Sequence, residues 1–410
     1  MQMIRQTNYD RNQRPFMVIW ETTQACDMAC RHCRAEAKPE HNPHALSYSE
    51  GCGLIDQIVD FGTPRPLVVL TGGDPFKRSD IFELARYASD QGLTVALSPS
   101  GTPLLNAGNL EKLRDAGSKV ISLSLDGSCA EIHDDFRGVP GSFDWTVKGW
   151  KTAQQLGIKL QINTTVTRYN LDDLPRIFSL VRDIGAMTWS VFFLVPTGRG
   201  LSADEISPLD YEAVLNFLYD ASKFIGIKTT EGHHYKRVVL QRAYLEAHAL
   251  PIRDYLTLNE TYDRLMAGLL EVTGGQAPTR MDERIVRTPM HVNAGDGFVF
   301  VSLLGEVFPS GYLPVSGGNI RQTPLKEIYQ NSELFRSLRN KTTLEGRCGM
   351  CEFNQVCGGS RSRAYAMSGN WLAEEPFCAY QPGSFPFSAQ IPELVQVSKR
   401  TQGEAPHAAS

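Results

Sequence analysis

The sequence has no long hydrophobic run. Its longest apolar stretches, such as Leu67-Val68-Val69-Leu70, are strand-sized, far short of the ~20 residues that span a bilayer. It has no excess of one charge either. The net charge is −4, from 41 Lys and Arg against 45 Asp and Glu, so no strong field points to nucleic acid or to an anionic membrane. The opening segment, MQMIRQTNYDRNQRP, lacks the apolar core of an export signal. Nine cysteines without such a signal are expected as ligands and thiols in a reducing cytoplasm, not as a disulfide framework. Hydrophobic content of 42% and charged content of 21% are ordinary for a soluble globular protein. At 410 residues the chain is long enough for about two domains.

What is present is cysteine in two tight groups. The first is Cys26-Asp27-Met28-Ala29-Cys30-Arg31-His32-Cys33, spaced C-x3-C-x2-C. Three thiolates on a short loop can hold three irons of a four-iron cube and leave the fourth open to bind something else. A zinc site wants a fourth ligand, and His32, between two cysteines, is badly placed to close a tetrahedron with them. The second group is Cys348, Cys351, Cys357 and Cys378, spaced C-x2-C-x5-C-x20-C. Four thiolates complete a closed metal site, either a zinc ribbon or an iron–sulfur cluster with no open iron. Cys52 and Cys129 remain as free thiols with a structural role.

Between the groups a unit repeats. Phe16 to Glu21 reads as a buried strand that delivers its C-terminal end to the cysteine loop. A helix from about Ser47 to Phe61 stops at Gly62. Five further strands follow, PLVVL, TVALS, KVISLSL, KLQINTTV and TWSVFFLV, each with a helix that stops at Gly92, Gly117, Gly157, Gly185 or Gly226. Glycine suits these stops because the residue past a helix C-terminus is often left-handed. Strands alternating with helices give a parallel sheet covered by those helices. Six units are too few for a closed eight-fold barrel and predict a partial (β/α)6 barrel of the α/β class. Sites in such folds lie at the C-terminal ends of strands.

Those strand ends carry small and polar residues. Strand two ends in Gly72-Gly73-Asp74-Pro75, where glycine permits close backbone approach and a carboxylate can receive an ammonium group, although a plain turn has the same composition. Strand three ends at Ser98. Strand four puts Ser122, Ser124 and Asp126 on one face, and strand five puts Asn163 and Thr165 on one face with Thr164 on the other. Arg137 follows strand four in His133-Asp134-Asp135-Phe136-Arg137-Gly138; its fork suits a carboxylate, and a surface ion pair is the alternative. Strand six leads into Pro196-Thr197-Gly198-Arg199-Gly200. Residues 201 to about 290 read as mostly helical, with a polar break at 273–278, and His233 and His234 within them are expected at the surface. Residues 297–309 read as a hairpin.

The C-x3-C-x2-C loop, the Gly-Gly-Asp-Pro turn one unit later and the C-terminal cysteines resemble the radical S-adenosylmethionine (SAM) enzymes, with a C-terminal auxiliary-cluster domain of the SPASM or shorter twitch form. The resemblance covers residues 16 to about 382. It implies that Cys26, Cys30 and Cys33 are catalytic and hold a [4Fe-4S] cluster whose open iron binds SAM. It further implies that His32 lies near the adenine, that Gly72, Gly73, Asp74 and Pro75 serve SAM's amino group, that Ser98 touches SAM, and that Ser124 and Arg137 serve its ribose or carboxylate. Asp74 stands where the family has glutamate. Ser310 follows Pro309 and Gly358-Gly359-Ser360-Arg361 follows Cys357 where a full SPASM domain has further cysteines, so one auxiliary [4Fe-4S] cluster is expected at Cys348, Cys351, Cys357 and Cys378, two clusters in all. The implied activity is reductive cleavage of SAM to a 5′-deoxyadenosyl radical and hydrogen abstraction from a substrate. Flavodoxin or ferredoxin is the expected electron donor. The stretch Cys348 to Pro382, with Arg361-Ser362-Arg363-Ala364-Tyr365, is similar both to enzymes that modify haem precursors and to peptide-modifying maturases. The substrate is therefore a tetrapyrrole or a peptide. A zinc-binding or electron-transfer protein without SAM cleavage is the alternative. The expected division is an extension (1–15), the barrel (16–230), a helical connection (231–290), the auxiliary-cluster domain (291–382) and a tail (383–410) that is disordered after Pro392.

Overall fold

The computed structural model describes residues 3–276 and 289–394. Its strands are β1 (Met17–Glu21), β2 (Leu67–Thr71), β3 (Thr94–Leu97), β4 (Val120–Ser124), β5 (Lys159–Val166), β6 (Thr188–Phe193), β7 (Ile227–Thr230), β8 (Asn293–Ala294), β9 (Gly297–Val301) and β10 (Val307–Phe308). They form one open sheet in the order β10-β9-β1-β2-β3-β4-β5-β6-β7, with β8 paired to β9. Every pairing is parallel except β9 with β10. Helices follow the strands from Tyr48–Val59 onward, as the sequence pattern predicts. Five of the six predicted helix-stop glycines are left-handed; Gly226 is not, because its helix already ends at Ala221.

The parallel strands alternate in burial, which assigns their two faces. In β4, Ile121 and Leu123 are buried while Ser122 and Ser124 are half-exposed. In β5, Leu160, Ile162 and Thr164 are buried while Gln161, Asn163 and Thr165 are half-exposed. A period of two puts each set on one face. The apolar set packs on the helices in the main core, with Trp20, Leu54, Leu70, Phe178 and Trp189. The polar set turns inward to a cavity. Thr164, on the helix side, accepts the Trp189 indole N–H at 2.9 Å, so the one hydroxyl buried there has a partner.

The structure corrects the sequence reading in four places. β7 is a strand within the stretch read as helical; it pairs with β6 and is only four residues long. The hairpin β9–β10 joins the barrel sheet itself, with β9 parallel to β1 in the register Val18↔Val299. His234 is buried and His233 is half-buried against a cavity, so neither is a surface residue. Residues 383–394 pack as well: Phe385 and Ile391 are buried with Ile4, Leu240 and Phe353 in a second apolar cluster. The disorder expected after Pro392 falls mostly on 395–410, outside the described residues.

Leu123 is 1% exposed at the centre of the sheet. Leu123→Ala removes packed methyl groups from a site enclosed by helix and strand, and is expected to destabilise the fold by about 2–5 kcal/mol. Denaturant unfolding of the variant measures this.

Candidate active site

The cysteine loop leaves the end of β1 and stays attached to the end of β2. Thr22 donates its N–H to Thr71 O at 2.7 Å, Gly73 to Thr23 O at 2.8 Å, and Asp74 to Ala25 O at 2.7 Å. This approach depends on glycine: a Cβ at Gly73 would lie 2.6 Å from the carbonyl oxygens of Gln24 and Ala25, and one at Gly72 would strike Thr23 O. Gly72 and Gly73 are thus needed for packing against the cysteine loop. Two more glycines grip the loop from other sides. A Cβ at Gly138, the left-handed C-cap of helix Ala130–Arg137, would lie 2.7 Å from Ala29 O, and one at Gly198, after β6, would strike Cys33 O. Arg199 completes the hold, donating Nε to Cys30 O at 2.9 Å and its backbone N–H to Cys33 O at 3.0 Å.

Held in this way at the C-terminal ends of the strands, Cys26, Cys30 and Cys33 all line a cavity of about 470 Å³ that runs along the inward face of the sheet as far as strand starts such as Met17 and Leu67. That volume lies within the range of small-molecule sites. Each sulfur accepts a hydrogen bond. Cys26 receives the Met28 N–H at 3.4 Å, Cys30 an Arg137 guanidinium N–H at 3.5 Å, and Cys33 the Ala37 N–H at 3.5 Å. Such donors stabilise thiolate, the ligating form. Burial, the largest cause, outweighs the hydrogen bonds from Ser100 and Met28 and leaves the Cys26 thiol pushed up to about 11. A bound cationic centre would reverse that.

The other sequence candidates divide between cavity and frame. His32 lines the cavity and stacks on Phe136 with ring centroids 4.5 Å apart; burial holds it neutral, and its Nδ1 has no partner. Ser98, Ser122 and Ser124 line the cavity, with the Ser98 and Ser122 hydroxyls 2.5 Å apart. Arg137 lines it too. One guanidinium nitrogen binds Asp126, another points at Cys30 Sγ, and its buried Nε has no partner. Asp126 is fully buried and is the arginine's ion-pair partner; it also accepts the Thr165 N–H at 2.7 Å. Asp74 and Pro75 do not reach the cavity. The Asp74 carboxylate accepts Phe76 N–H at 3.2 Å, Ser100 N–H at 3.4 Å and Thr102 Oγ1 at 2.8 Å, and caps the short helix Pro75–Lys77. Its shorter arm keeps it inside the turn. Ser100, which the sequence did not single out, sits instead 3.5 Å from Cys26 Sγ and donates to Gly73 O at 2.8 Å.

The cavity is also lined by Arg34, next to Cys33 in the cysteine loop, and by Lys228, His233 and Lys236 with Phe300 and Tyr312. Arg34 pairs with Glu21 at 3.1 Å over the Phe300 ring. Lys236 is buried and donates to Val292 O at 2.7 Å; burial pulls its ammonium down to about 7. Apart from Arg34, these residues come from β7, the turn and helix that follow it, and the C-terminal hairpin with the loop after it. No local motif marks them.

Cys348, Cys351, Cys357 and Cys378 line one small pocket of about 30 Å³ with His234 and Arg237. A repeated local geometry aims donors at the sulfurs. The N–H two residues on points back at Cys351 from Phe353, at Cys357 from Gly359 (3.4 Å) and at Cys378 from Tyr380. Cys348 accepts from Glu375 N–H at 3.3 Å and Arg361 Nη2 at 3.7 Å. All nine cysteines are free, Cys52 half-buried and Cys129 exposed. Among the described residues no three Cys, His, Asp or Glu side chains converge closely enough to hold a single ion. A cluster spreads its thiolates over separate irons. The donor sets at both sites, soft sulfur with N–H groups aimed at it, fit iron–sulfur ligation.

Comparison with known proteins gives a consistent picture. The sequence profile of the Radical SAM superfamily matches residues 20–181. The chain is 41% identical over 383 residues to an AdoMet-dependent heme synthase of Methanosarcina barkeri (strain Fusaro / DSM 804), covering 93% of this chain and 99% of the relative. It is 42% identical over 374 residues to the AdoMet-dependent heme synthase of Oleidesulfovibrio alaskensis (strain ATCC BAA-1058 / DSM 17464 / G20), covering 90% and 88%. Among solved structures, Streptococcus suis SuiB bound to precursor peptide SuiA superposes with a TM-score of 0.60 at 14% identity, covering 90% of this chain and 76% of that one.

Gly73→Ala is expected to displace the first cysteine loop while the sheet persists. Reconstituted variant protein should keep its circular dichroism and lose the iron that Cys26, Cys30 and Cys33 would hold. Iron content per chain checks this.

Proposed function

This chain belongs to the radical SAM superfamily, and on that footing we propose that it completes haem by acting on a side chain of a tetrapyrrole. It is an enzyme, with S-adenosylmethionine and a [4Fe-4S] cluster as cofactors. SAM bound at such a cluster supplies a 5′-deoxyadenosyl radical able to abstract hydrogen. Cys26, Cys30 and Cys33 would hold the cluster. His32, Ser98, Ser124 and Arg137 line the cavity where SAM would lie, with the Gly72-Gly73 turn bracing the loop. Asp74 acts by fixing that turn through Ser100.

The observation that carries the substrate is the end-to-end likeness to heme synthases, which spans 99% of one relative. The cavity supports it. Arg34, Lys228 and Lys236 face it, and cationic groups in a partly desolvated wall suit a substrate bearing several carboxylates. Hydrogen abstraction from the carbon adjacent to the one that bears such a carboxylate leaves a carbon radical. The C–CO2⁻ bond then breaks and CO2 departs. One electron of that bond completes a carbon–carbon double bond. The other passes to an oxidant, the role we propose for an auxiliary [4Fe-4S] cluster at Cys348, Cys351, Cys357 and Cys378. The protein's share is to aim the side chain and exclude water. A flavodoxin or ferredoxin would supply the starting electron. The peptide reading rests on weaker likeness, 28% identity over 360 residues to Mycofactocin maturase MftC of Mycolicibacterium smegmatis against 41% to a heme synthase, and on fold likeness at 14% identity, which carries no substrate. Among the described residues no helix is long and apolar enough to cross a membrane.

Protein reconstituted without oxygen should contain about eight irons per chain. With reductant, SAM and an iron tetrapyrrole bearing carboxylate side chains it should yield 5′-deoxyadenosine and a product lighter by CO2, detected by mass spectrometry. Cys30→Ala should abolish both. SAM cleavage without loss of CO2 from any tetrapyrrole would overturn the substrate.

A further inference from the structure

One turn touches both cavities. β7 ends at Thr230, and the chain then passes through Glu231, Gly232, His233 and His234 into the helix Tyr235–Ala247. His233 lines the large cavity. His234, next in the chain, lines the pocket of the four cysteines. The turn is built at a cost. Glu231 is a non-glycine residue at φ 55°, in the left-handed region, where strain persists only if the surroundings impose it. They do so here. The buried Glu231 carboxylate accepts the hydroxyls of Ser310, Ser360 and Ser362. Its backbone carbonyl accepts Arg363 Nη2 at 3.0 Å. Gly232 lies against Phe193 with no room for a side chain. The residues that enforce the turn come largely from the segment around the second cysteine group.

His234 is what the turn presents to that group. It is 1% exposed, and both ring nitrogens are buried without a hydrogen-bond partner. A neutral imidazole carries one N–H, and leaving it unpaired in the interior forfeits its hydration with nothing in return. Backbone N–H groups and Arg361 already point at the sulfurs of this pocket, and His234 is the polar side chain there with both ring nitrogens unmet. Four cysteines complete the coordination of a cube, so no iron is left for imidazole to ligate. The Glu375 carboxylate in the same pocket is already taken by Arg363 and the Ser360 N–H, so a sulfur of the centre is the acceptor left to it.

We propose that His234 donates a ring N–H to a sulfur of the metal centre held by Cys348, Cys351, Cys357 and Cys378, and that the strained turn fixes it there while setting His233 against the substrate cavity. His234 is a positioning and tuning residue. A hydrogen bond to sulfur stabilises the more negative, reduced state, so it raises the centre's potential and favours uptake of an electron. Because the next residue lines the cavity, the donor that tunes the centre and the wall that meets substrate are one covalent piece, with Cα atoms about 3.8 Å apart.

The inference rests on the metal-centre reading of those cysteines, so iron is counted first. About four irons per chain in the unmodified protein, with SAM still cleaved, removes the centre and this inference, and leaves the radical chemistry standing. With about eight irons, the reduced C-terminal centre is examined by pulsed EPR in protein carrying ¹⁵N-histidine. A histidine nitrogen coupling that disappears in His234→Phe is expected, with a lower midpoint potential in that variant and recovery toward the native value in His234→Gln, which keeps an N–H. Absence of any histidine coupling in the unmodified protein, or an unchanged potential in fully loaded His234→Phe, overturns it.

Discussion

The molecule depends on how closely two strand-end loops and one helix end approach the backbone of the first cysteine loop. Gly72, Gly73, Gly138 and Gly198 come from β2, from the helix after β4 and from β6, and at each a Cβ would run into a carbonyl of residues 23–34. Short-range packing of this kind is stiff, because a packed interior resists even small volume changes. The loop itself has little regular hydrogen bonding of its own. Its shape is imposed by neighbours that converge from three directions, and Arg199 adds a charge-assisted bond to Cys30 O and a backbone bond to Cys33 O. Three cysteines on a free loop would sample many separations. Gripped in this way, they face the cavity together.

The sheet then divides the labour. One face is apolar and buried under helices, and supplies the stability. The other carries Ser, Thr, Asn and Gln toward the cavity, where they are available to ligands. The same alternation of residues in β4 and β5 produces both. Closing the far wall is the business of the C-terminal third. β9 extends the sheet beyond β1, and the Arg363–Glu375 pair, both buried, ties the second cysteine segment to Leu194 O at the end of β6. A buried pair of this kind is costly to break by losing one partner. The two cysteine groups are in this way parts of one rigid arrangement.

Much of this was legible in the sequence because it is local. Strand-sized apolar runs, glycine stops and cysteine spacing each report on a few adjacent residues, and they located β1 to β6 and both cysteine groups. The inward faces of β4 and β5 followed from a period of two. What was not legible depends on pairing at a distance. β7 is short and inherits its strand geometry from β6. The β9–β10 hairpin is a hairpin by pattern, but its place beside β1 is not written in its own residues. His233 and His234 look like surface residues because nothing nearby in sequence predicts the serines and arginine that hold their turn. Asp74 reads as a ligand-binding acid by its place after two glycines. The three donors that occupy it come partly from the β3 loop, which no local rule brings there.

The most direct test of the account is whether the iron left open by Cys26, Cys30 and Cys33 faces the cavity and takes SAM. Reduced protein is examined by EPR with and without SAM. The account predicts that one component of the spectrum shifts on adding SAM, and that this component is absent from Cys30→Ala while the other persists. A spectrum indifferent to SAM in protein fully loaded with iron would contradict it.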